Sequence, residues 1–123
     1  MAVPTNGGKR HSPPPRHQVP EVDAPALGLA RQVRSSVAAL RAGGRPRWAD
    51  VLEPLIEPLQ DGDLRAVRLA ANRVRAAFGV GESIAEDLEE AEGRALRDAA
   101  DATLRALARY EARVGRHAVG EGR

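Results

Sequence analysis

Leu29, Val33, Val37 and Leu40 recur at spacings of four, four and three, which places them along one side of an α-helix. The spacing predicts a helix from about Ala26 to Ala42, with Arg31, Arg34 and Arg41 elsewhere on the cylinder and Gly43-Gly44 as its stop. A second run starts at Pro46. There Trp48, Val51, Leu52, Leu55, Ile56 and Leu59 keep helical phase although Pro54 and Pro58 lie inside it. An interior proline removes a donor and crowds the preceding turn, at about 3 kcal/mol. A kinked or broken helix is therefore expected, unless Pro54 opens a new short helix at its first position.

Asp61-Gly62-Asp63 offers a break and an N-cap. In the helix that follows, Leu64, Val67, Ala70, Ala71, Val74, Ala77 and Phe78 form one wide apolar face, Arg65, Arg68, Asn72 and Arg75 the opposite side, and Leu69 the boundary. After Gly79-Val80-Gly81 the longest pattern begins and predicts a helix over about residues 82 to 114. Its stripe reads Ile84, Leu88, Ala91, Ala95, Ala99, Ala102, Ala106 and Tyr110, widened by Leu96, Leu107 and Val114. Six acids crowd its start and Arg105, Arg109 and Arg113 sit near its end, a polarity that suits the helix macrodipole. Gly93 is its weak point, at about 1 kcal/mol relative to alanine.

These elements predict an all-α fold: a small three- or four-helix bundle or helical hairpin over residues 26–114, with a disordered proline-rich tail at 1–25 and a frayed end at 115–123. Residues 1–25 hold six prolines and Gly7-Gly8, too little apolar surface to order themselves. The stretch from Lys9 to His17 is basic and proline-rich. It reads either as a polyproline ligand or phosphate-touching arm, or as a solvated leader.

Composition agrees with helices. Alanine and leucine dominate, no β-branched run alternates with polar residues, and aromatics are only Trp48, Phe78 and Tyr110. Such a core is thin, which is a reason to expect a partner or self-association. Without cysteine there is neither a disulfide framework nor a thiolate metal site. No apolar run resembles a signal-peptide core or reaches the length of a bilayer span, so cytoplasmic residence and no membrane are the expectations. Eighteen of the 19 basic residues are arginine, the codon bias of a GC-rich genome of the kind actinobacteria carry.

Net charge is +2, but unevenly spread. Residues 26–81 carry nine arginines against five acids, residues 82–101 eight acids against two arginines, and residues 102–123 five arginines against two acids. The arginine-bearing run at 64–78 and the acidic run at 82–92 are parted only by Gly79-Val80-Gly81. They are expected to be antiparallel neighbours, or end-on partners across that bend, with Arg73 or Arg75 near Glu82 or Glu86. The alternative is one continuous helix through residues 64–114.

Residues suited to catalysis are scattered. His11, His17 and His117 fall in the expected tails, without metal-ligand spacing. The acidic run lacks both a Glu-x-x-His pair and a glycine-centred calcium loop. Ser35, Ser36, Ser83 and Thr103 lack a nucleophile elbow and an ordered histidine base, and no P-loop is present. The expectation is no enzyme, no cofactor and no metal. A row formed by Arg65, Arg68 and Arg75 is the candidate phosphate-contacting face of a nucleic-acid-associated regulator. Against that stand the small net charge, the near absence of lysine and the lack of stacking aromatics or a polar recognition helix.

In coarse shape, a helical hairpin of this size resembles small secreted proteins that pair as hairpins through a Trp-x-Gly bend and carry a Tyr-x-x-x-acid signal. Here Trp48 precedes Ala49-Asp50 and the fourth residue after Tyr110 is Val114, so both motifs depart from that pattern. The sequence is best read as an all-α module that binds another protein or a second copy of itself through apolar helix faces, with basic and acidic surfaces setting orientation. Leu29, Val33, Val37 and Leu40 are its candidate partner-binding face, since the first helix is expected to be the most loosely tethered element.

Overall fold

The computed structural model describes residues 18–79, 81 and 83–121, the side chains of 116–121 excepted. It is all-α, with no strand among the described residues. Helix α1 spans Pro20–Ala42, α2 Pro46–Leu52, α3 Ile56–Asp61, α4 Leu64–Ala76 and α5 Glu90–Glu121; a 3-10 turn at Glu53–Leu55 joins α2 to α3, and another covers Ile84–Glu86. The basic proline-rich stretch at 9–17 lies outside the described residues.

α1 begins at Pro20, six residues earlier than the pattern suggests. Pro20 takes the first helical position, where its missing N–H costs nothing, and Glu21 and Asp23 lie in the first turn, where the helix dipole favours acids. Val19 and Val22 are buried beneath that turn, so this stretch belongs to the folded body and not to a tail. Pro25 is carried inside the helix. Gly44, at φ +73°, stops α1: Arg45 N–H bonds to Leu40 C=O at 2.8 Å and Gly44 N–H to Arg41 C=O at 3.2 Å, the paired bonds of a Schellman ending.

The proline-bearing run is a broken helix, as its phase suggests. Pro54 sits at the start of the 3-10 turn, and Leu52, Leu55 and Leu59 stay buried on either side of the break. This broken helix lies antiparallel to α1. Arg34 Nη2 donates to Gln60 Oε1 at 2.6 Å near one end, and near the other Arg41 bridges Glu53 and Asp50, the latter at 3.2 Å. Those two carboxylates, Glu53 first, hold the Arg41 guanidinium above its ordinary pKa. Asp63 then caps α4, its Oδ1 accepting from Ala66 N–H at 2.9 Å.

α5 starts at Glu90, not near residue 82. The Ser83 hydroxyl oxygen accepts from Ala85 N–H at 3.2 Å and turns the chain into the short 3-10 segment, and Ile84 N–H bonds back to Ala77 C=O at 2.9 Å. Ile84 and Leu88 are buried at a spacing of four, which imitates a helix in sequence. The reversal between α4 and α5 passes through Gly81 at φ +94°, so residues 64–114 are not one helix.

α5 is antiparallel to both α1 and α4. Arg113 pairs with Glu21 and Thr103 Oγ1 donates to Pro25 C=O at 3.2 Å on one side, while Arg68 pairs with Glu111 and Arg75 with Asp101 on the other. The chain thus runs up, down, up and down as a four-membered bundle whose second member is the α2–α3 pair. α1 is its centre, packing most extensively on α5 and also on α2, α3 and the intervening turn.

The buried stripe of α5 differs from the expected one by about one residue. Leu96, Ala100, Thr103, Ala106 and Leu107 face the core, whereas Ala91 and Ala95 are exposed. Thr103 is accommodated because its hydroxyl is satisfied by Ala99 C=O at 2.9 Å as well as by Pro25.

Candidate functional site

The four residues read as a partner-binding face are used inside the bundle. Leu29, Val33, Val37 and Leu40 are buried in the common core, so they offer no surface to a partner. Their stripe looks narrow only because small residues complete it: Ala26, Ala30 and Ser36 are buried beside them. α1 packs on more elements than any other helix and is not the most loosely tethered.

The arginine row is also largely engaged. Arg75 Nε lies 2.7 Å from Asp101 Oδ1, and Arg68 pairs with Glu111. Arg65 is exposed and makes no ion pair among the described residues. Of the expected pairings of Arg73 or Arg75 with Glu82 or Glu86, Glu82 lies outside the described residues, and Arg75 is engaged instead by a mid-helix acid of α5, because α5 begins only at Glu90. Within the acidic run, Asp87 lies 3.7 Å from Arg45, Glu90 pairs with Arg94 at 3.2 Å, and Glu92 accepts from Gln32 and Ser36. Glu86 and Glu89 point to solvent.

Of the four candidate hydroxyl residues, Ser35 is exposed and the other three have structural roles. Ser36 and Thr103 are buried and hydrogen-bonded, and Ser83 shapes the turn before α5. Among the described residues no group of three or more His, Cys, Asp or Glu is placed to hold a metal ion. His11 and His17 and the side chain of His117 lie outside the described part.

A groove of about 470 Å³ does open between the first turns of α4 and the later part of α5, a feature that sequence periodicity did not reveal. Its floor is apolar: Leu64 and Leu107 are buried, Tyr110 is half-buried, and Val114 is 42% exposed. Its rim is charged, with Arg65 beside the Arg68–Glu111 pair. The Arg113 guanidinium stacks 5.3 Å from the Tyr110 ring centroid and fixes that ring at the groove's edge. The signal in the sequence is Val114, an apolar residue that keeps the phase of Leu107 and Tyr110 at the level where α4 begins. A second groove, of about 450 Å³, lies at the opposite end beneath Phe78 and Leu88, edged by Glu89 and Glu90. Leu69 and Val51, 55% and 45% exposed, stand on separate elements outside both grooves.

No family model, curated protein or solved structure matches the chain. Among the described residues, no helix is long and apolar enough to cross a membrane.

Proposed function

We propose that this chain is a non-enzymatic helical module that binds another protein or a second copy of itself, acting in the cytoplasm without a cofactor. The observation that supports this reading is the groove between α4 and α5. It joins an apolar floor to an arginine rim and leaves Val114 in solvent at the level where α4 begins. Apolar surface inside a charged rim is what helix-docking sites present: the floor supplies burial and the rim selects orientation. Two of the three cations that a phosphate-tracking row would use are held in ion pairs, which favours a protein partner over nucleic acid.

The test is affinity capture from the native host with the full chain and with Val114→Asp. Val114 is exposed, so the substitution leaves the core intact. Capture by the unaltered chain that is lost in the variant supports a protein-binding role for this groove. Equal capture by both, or none by either, contradicts it. Recovery of nucleic acid that is lost at high salt and in Arg65→Ala would favour the regulator reading instead.

A further inference from the structure

We draw no further inference here: the strongest candidate, the apolar groove between α4 and α5 floored by Leu64, Leu107, Tyr110 and Val114, carries none, because charges of both signs stand at each end of the bundle and nothing in the structure shows what covers it.

Discussion

The Ser36 hydroxyl donates a hydrogen bond to Glu92 Oε2 at 2.8 Å, across the interface between α1 and α5. Gln32 Nε2 donates to the same oxygen at 2.6 Å. Ser36 is fully buried, so this carboxylate satisfies a hydroxyl that water does not reach. Glu92→Ala is expected to lower stability by about 1–3 kcal/mol, because it strands that hydroxyl, whereas Ser36→Ala should cost about 0.5–1.5 kcal/mol. Urea denaturation of the two single variants and the double variant checks this. The double variant should lose less than the sum of the singles, since both remove one interaction.

Two glycines should respond to alanine with opposite sign. At Gly93 a Cβ would meet Leu88 Cβ at 3.9 Å and Phe78 Cε1 at 4.0 Å, ordinary contacts, so Gly93→Ala is expected to stabilise by about 0.5–1 kcal/mol through helix propensity. At Gly62 a Cβ would lie 2.5 Å from Pro58 C=O, a backbone atom that cannot swing aside. Gly62→Ala is expected to destabilise by about 1–3 kcal/mol. Thermal melts of both variants settle the signs.

The ion pair between Arg75 and Asp101 spans α4 and α5 with both side chains about one-third exposed. Such pairs contribute little, so a double-mutant cycle should give a coupling of about 0.2–1 kcal/mol that shrinks with added salt. A coupling well above this range would mean that charge, and not burial, holds the two helices together.

Because Leu29 and Leu40 are core, Leu29→Ala and Leu40→Ala should each cost about 2–5 kcal/mol. Leu69→Ala, at an exposed position, should change stability by no more than about 0.5 kcal/mol. Chemical denaturation followed by circular dichroism separates these outcomes.

Much of this fold was legible along the chain, for local reasons. The Asp63 cap, the Gly43-Gly44 ending, the proline-broken second helix and the apolar face of α4 depend on neighbours within a few residues, and each appears as its residues suggest. The start of α1 was hidden by proline-rich composition, although Pro20, Glu21 and Asp23 together mark a helix start. The acidic run looked helical because Ile84 and Leu88 keep a spacing of four, while Ser83 diverts the chain into a 3-10 turn. In α5 alanine is an ambiguous guide, small enough to face either core or solvent: Ala91 and Ala95 keep the phase of the stripe yet face solvent, and Thr103 takes a core position. The groove was not legible because its walls belong to two helices whose register depends on where α5 begins.

The groove exists only if α4 and α5 lie side by side in opposite directions. The most direct measurement is the distance between spin labels at positions 69 and 108, exposed sites on α4 and α5 that sit at the same level in the register fixed by Arg68–Glu111 and Arg75–Asp101. Helices in contact have axes about 8–10 Å apart, so the labels should report a short distance, on the order of 10–20 Å once their own reach is included. A distance near 58 Å, the rise of a continuous helix between those positions at about 1.5 Å per residue, would contradict the hairpin and the groove with it.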